Sequence, residues 1–108
     1  MTIDELMNES YQTAKDKGWV GDGRTVGDHI ALMHSELSEA LEEYRTRGID
    51  YKINWDGEKP TGFVLELADV MIRIAQFCEE KGIRLENALR VKMDYNKTRP
   101  YRHGGKEI

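Results

Sequence analysis

Phe63-Val-Leu-Glu-Leu-Ala-Asp-Val-Met-Ile-Arg-Ile-Ala-Gln-Phe-Cys78 is the stretch that decides the fold. It reads as a helix that is apolar on almost every side. Its polar side chains are Glu66, Asp69, Arg73 and Gln76, and at helical spacing they fall within an arc of about 80°. Val64, Leu65, Leu67, Val70, Met71, Ile72, Ile74 and Phe77 cover the remainder. A helix apolar all round is expected to be buried all round. Two carboxylates inside it are costly unless something positive meets them.

Helices are expected on both sides of this one. Residues 2–17 form the first, with Leu6, Met7, Tyr11 and Ala14 toward the core and Gly18 after it. Trp19 to Gly27 is a glycine-rich loop. Thr25 and Asp28 form a capping box that starts the second helix, and Gly48 closes it. Ile30, Met33, Leu37, Ala40, Leu41 and Tyr44 give that helix its expected core face. Residues 49–59 form a connection longer than usual between helices. The central helix follows Pro60-Thr61-Gly62 and ends at Gly82, and a fourth helix spans Leu85 to Thr98, before Pro100. No run of alternating β-branched residues announces a strand. The expected fold is all-α, an antiparallel four-helix bundle in a single domain over 1–108, with a basic non-helical tail at 100–108.

Composition narrows the function classes. The 108 residues include 33% charged and 39% hydrophobic ones, with a net charge of -4. An acidic chain of this kind is no general binder of nucleic-acid polymers. The acidic N-terminal stretch has no apolar run and argues against a signal peptide. No stretch reaches the roughly 18 apolar residues of a membrane span. The lone Cys78 sits among apolar neighbours and is expected to pack as a buried small hydrophobe. A cytoplasmic location is the expectation.

The second helix repeats the oddity of the central one. Glu36 and Glu39 are three apart and share a face, which Glu43 continues; Glu66 and Asp69 have the same spacing. Packed together, the two helices can bring four carboxylates to one point, and their mutual repulsion calls for a cation. Hard oxygen donors suit Mg²⁺, Mn²⁺ or Ca²⁺. Di-iron bundles use Glu-x-x-His pairs, and neither pair here ends in histidine. The alternative is an exposed acidic face on the second helix, with Glu66 and Asp69 paired to Arg73.

Glu36-Leu-Ser-Glu39 followed by Glu66-Leu-Ala-Asp69 resembles the E-x-x-E…E-x-x-D signature of the all-α nucleoside triphosphate pyrophosphohydrolases. That superfamily holds MazG and MazG-like proteins, dCTP pyrophosphatases, dimeric dUTPases and phosphoribosyl-ATP pyrophosphohydrolase. Lys92-Met-Asp-Tyr-Asn96-Lys-Thr-Arg99 and His103-Gly-Gly-Lys106 are similar to the end of MazG-like chains. The resemblance implies hydrolysis of a nucleoside triphosphate to a monophosphate and pyrophosphate. It implies Mg²⁺, with Mn²⁺ as substitute, at Glu36, Glu39, Glu66 and Asp69, and phosphate and sugar contacts from Lys92 and Asn96. It also implies a homodimer or homotetramer whose subunits complete one another's sites. An apolar central helix that three short helices only partly cover points the same way.

In that reading Glu36 or Glu39 orients the water that attacks the α-phosphorus, and Arg99 stabilises the leaving pyrophosphate. Basic residues Lys92, Lys97, Arg99, Arg102 and Lys106 suit a polyphosphate. Trp19 and Trp55 are candidates to hold the base, with Tyr95 and His29 behind them. Two alternatives remain: a phosphoribosyl-ATP pyrophosphohydrolase, and a non-catalytic helical protein that offers its acidic faces to a metal or a basic partner.

Overall fold

The computed structural model describes residues 1–48 and 50–101. It is mostly helical: α1 (Ile3–Asp16), α2 (Val26–Arg47), α3 (Phe63–Lys81) and α4 (Leu85–Thr98), with a small hairpin, β1 (Asn54–Asp56) and β2 (Lys59–Thr61), between α2 and α3.

Local chemistry sets the helix ends. Thr2 and Glu5 form a capping box on α1, each side chain accepting the other's backbone N–H at 3.0 Å. Thr25 and Asp28 do the same for α2 at 3.1 and 2.9 Å. These reciprocal bonds satisfy amides that a helix start leaves orphaned. Gly82 closes α3 in the left-handed region at φ +70°, where a Cβ is unfavourable.

The hairpin is a departure from the connection expected at 49–59. Strands of three residues are too short to show an alternating pattern, so Asp56-Gly57 was its single local signal. Asn54 faces Thr61, Trp55 faces Pro60 and Asp56 faces Lys59, with Gly57 turning at φ +63°. Pro60 is tolerated because a two-stranded sheet has nothing beyond either edge. Asp50 holds the approach, accepting from Lys52 N at 2.9 Å and Asn54 Nδ2 at 3.0 Å.

α3 lies between α1 and α2 and packs on both, while α4 packs on α1. Met7 of α1 meets Ala75 and Cys78 of α3 in the core, with Ile3, Leu6, Ile74, Phe77 and Leu85 around them. Cys78 is buried as its neighbours foretold. α4 buries no residue.

Two burial expectations are overturned. α3 is not covered all round: Leu67, Met71 and Ile72 are exposed. On α2 the inward face is not the apolar one. His29, Glu36 and Ala40 are buried, with Leu32, Met33 and Glu43 partly so, whereas Ile30, Leu37, Leu41 and Tyr44 are exposed. α2 thus turns its carboxylate stripe to α3 and its apolar stripe outward. No described helix is long and apolar enough to cross a membrane.

Candidate functional site

The contact of α2 with α3 brings acids together. Oxygens of Glu36, Glu39 and Glu66 lie within 4.8 Å of one another. The i,i+3 spacing puts Glu36 and Glu39 on one turn of α2, and Glu66 enters from the first turn of α3. Burial, then the charges of Glu39, Asp69 and Glu36, push the Glu66 carboxyl up to about 7. Its Oε2 is buried without a hydrogen-bond partner. Two ionised carboxylates have no proton to donate, so Glu66 and Glu39 bond only when one of them is protonated.

Asp69 does not join the three-carboxylate group. It lies beside it, its carboxyl raised by burial and by Glu36 and drawn back down by Arg73. Arg73, which the alternative reading pairs with Glu66 and Asp69, goes elsewhere: its Nε donates to Glu36 Oε1 at 2.6 Å. Glu36 is therefore buried and paired, Glu39 exposed, and Glu66 half-buried with one buried, orphaned oxygen.

Two cavities flank the cluster. On one side, about 370 Å³ is enclosed by Trp19, Arg24, Glu36, Asp69, Ile72, Arg73 and Gln76. On the other, an open concavity of about 210 Å³ is lined by Glu39, Glu42, Glu43, Thr46 and Glu66. Glu43, further along the acidic face of α2, also keeps a buried oxygen without a hydrogen bond, although Arg47 Nε lies 3.3 Å from it.

No family model, curated protein or solved structure matches the chain. The likeness to the all-α pyrophosphohydrolases therefore rests on the motif residues of the sequence alone.

The remaining candidates are scattered. Trp19 borders the charged cavity. Trp55 is on the exposed hairpin and borders neither cavity. Lys92, Asn96 and Arg99 belong to α4 and its C-cap, on the helix that packs against α1. Lys92 sits 5.2 Å over the Tyr95 ring, and Lys97 is 3.7 Å from Asp94. His29 is a packing residue, 5.2 Å from Phe77 between ring centroids and 3.8 Å from Glu80 Oε2. Arg102, His103 and Lys106 lie outside the described residues.

Two cations at the cavity were not anticipated as site residues. Arg73 was legible as part of the polar stripe of α3, one turn beyond Asp69. Arg24, ion-paired to Asp22 at 2.9 Å, is in a loop whose local sequence gives no periodicity to read.

The donors suit a hard divalent cation. All three are carboxylate oxygens, one of them a buried orphan, and there is no sulfur among them. Glu36 retains a second oxygen beside the one Arg73 holds.

Proposed function

We propose that this chain hydrolyses nucleoside or deoxynucleoside triphosphates to the monophosphate and pyrophosphate with Mg²⁺, Mn²⁺ serving as substitute. The observation that carries this reading is the convergence of Glu36, Glu39 and Glu66 within 4.8 Å. Three such acids are held together from two different helices, at an energetic cost that a cation relieves.

Glu36, Glu39 and Glu66 would hold the metal, with Asp69 at the edge of the site. Bound there, Mg²⁺ supplies neutralising charge for the acids and for the leaving pyrophosphate. Glu39 is the better candidate to orient the attacking water, because it is exposed and no described cation pairs with it, whereas Glu36 is held by Arg73. Arg24 and Arg73 border the adjoining cavity and suit phosphate oxygens.

Self-association belongs to the same proposal. Ile30, Leu37, Leu41 and Tyr44 form an exposed apolar stripe on α2. The fully buried hydrophobic residues described are Met7, Ala14, Ala40, Ala75 and Cys78, most of them small. The radius of gyration is 16.6 Å, against roughly 13 Å for a compact domain of this length. A second copy covering the stripe would complete an antiparallel helical bundle of the pyrophosphohydrolase type. A neighbouring α4 would then be the route by which Lys92, Asn96 and Arg99 reach a carboxylate cluster.

Pyrophosphate release across a panel of ribo- and deoxynucleoside triphosphates with Mg²⁺ tests the reaction. Release from at least one of them is expected; none from any would remove the reading. Arg73 favours the non-catalytic alternative, since it already neutralises one acid. With a basic partner on the acids, that alternative predicts no change of Tm on adding Mg²⁺; a metal site predicts a rise, and a rise without pyrophosphate release would mark a non-catalytic metal binder.

A further inference from the structure

The charged cavity adjoins a second one of different character. A cleft of about 250 Å³ lies between α1 and α3, with Leu6 and Ala14 among its apolar walls. Trp19, Ile72 and Gln76 border both spaces. One compartment thus carries Arg24, Arg73, Glu36 and Asp69, and the other is mainly apolar.

Four residues with polar side chains line this compartment, Glu9, Ser10, Thr13 and Gln76, and two of them, Ser10 and Gln76, are buried. Each is only 8% exposed, and neither side chain has a hydrogen bond to another described residue. The buried polar atoms without a partner belong to Glu43, Glu66 and Glu80, so the Gln76 amide still opens onto the cavity, where a ligand that hydrogen-bonds it replaces water. A glutamine amide carries donors and an acceptor side by side. That is the pattern that pairs with the edge of a nucleobase. The half-exposed Trp19 indole offers a flat π face beside it. Apolar walls with few polar groups are the usual make-up of a small-molecule site.

We propose that this compartment is a nucleobase pocket in which the Gln76 amide reads the base edge, Ser10 adds a second hydrogen bond and Trp19 stacks. The adjoining charged compartment takes the phosphates. The proposal deepens the nucleotide-hydrolase reading and rests on it for the phosphate end of the ligand. Gln76 is thereby a specificity-determining residue, placed on the same α3 stripe as Glu66, Asp69 and Arg73.

Calorimetric titration with non-hydrolysable α,β-methylene nucleotides of the four bases, and with inorganic tripolyphosphate as the baseless control, tests it. In the unaltered protein at least one nucleotide is expected to bind about tenfold or more tightly than tripolyphosphate. Gln76→Met, similar in volume and unable to pair, should remove about tenfold of that advantage and leave tripolyphosphate binding unchanged. Ser10→Ala should weaken the same nucleotide without affecting tripolyphosphate. Equal affinity for tripolyphosphate and every nucleotide overturns the pocket, and this measurement needs no variant to fold. A folded Gln76→Met chain that keeps the original base preference overturns it too. Gln76-dependent nucleotide binding without pyrophosphate release supports the pocket and removes the hydrolase reading alone. Pyrophosphate release with base preference indifferent to Gln76 does the reverse.

Discussion

Arg73 of α3 donates its Nε proton to Oε1 of Glu36 on α2 at 2.6 Å. The bond ties the two helices together at the acidic cluster, and one partner is far more buried than the other: Glu36 is 10% exposed at the side chain and Arg73 33%. Removing the arginine leaves a buried carboxylate without its cation. Arg73→Ala is expected to cost about 2–3 kcal/mol in denaturant unfolding, below a fully buried pair because water screens the arginine. Added Mg²⁺ should restore part of this loss if the cluster takes a metal. An equal loss with and without Mg²⁺ would count against a metal at Glu36.

Glu66 supplies the pH test. Its carboxyl is raised from 4.5 to about 7, so between those values the folded chain binds more protons than the unfolded one. Stability then falls as pH rises through this window and levels off above about 7. The expected loss is on the order of 1–2 kcal/mol after solvent screening. Glu5, Asp28 and Asp50 lie below their usual values, chiefly because Thr2, Thr25 and Asn54 respectively bond to them. The stability they add is lost only at more acidic pH, as pH falls through their folded values. Melts from pH 5 to 8 without divalent ions should show the decline, and Mg²⁺ should abolish it at pH 8. A flat profile would show that Glu66 is not repelled as described.

Glu66→Gln separates stability from chemistry. It keeps the shape, removes one of the repelling charges and is expected to raise Tm at pH 8 without divalent ions. It should also abolish both the Mg²⁺-induced rise in Tm and pyrophosphate release. Asp69→Ala should likewise abolish release while helicity by circular dichroism is retained. Full activity in either variant would leave the metal-site argument without support.

Gly62 is the junction of hairpin and α3. Its φ is +122°, and an added Cβ would meet Lys52 O and Asn54 Nδ2, each at 3.2 Å. Gly62→Ala should cost about 1–3 kcal/mol from backbone strain. Gly57→Ala, at φ +63° with open space around it, should cost less, about 1–2 kcal/mol. Equal effects by denaturant unfolding would mean that the contacts around Gly62 are easily relieved.

The outward stripe of α2 gives the assembly test. Light scattering at micromolar concentration is expected to report at least a dimer. Leu41→Asp, placing a charge in the middle of the stripe, should shift the mass toward the monomer. A monomeric unaltered chain would refute the association.

Helix positions were legible because their causes are local. The Thr25–Asp28 capping box, Gly48, Gly82 and the span from Leu85 to Thr98 are each set within a few residues, and the structure has them where the sequence placed them. The shared faces of Glu36 with Glu39 and of Glu66 with Asp69 were legible for the same reason, since i,i+3 spacing puts acids on one helical face before any packing occurs. Packing decided what lies beyond one turn. Periodicity gives α2 an apolar stripe and an acidic one, but not which turns inward; contact with α3 chose His29, Glu36 and Ala40 over Leu37, Leu41 and Tyr44. Periodicity likewise puts Arg73 near Glu66 and Asp69, while the geometry of the neighbouring helix gave it to Glu36. A pattern along one helix records which residues share a face. Only the tertiary contact settles what that face meets, because the energy is decided by the partner's charge and shape as much as by its own.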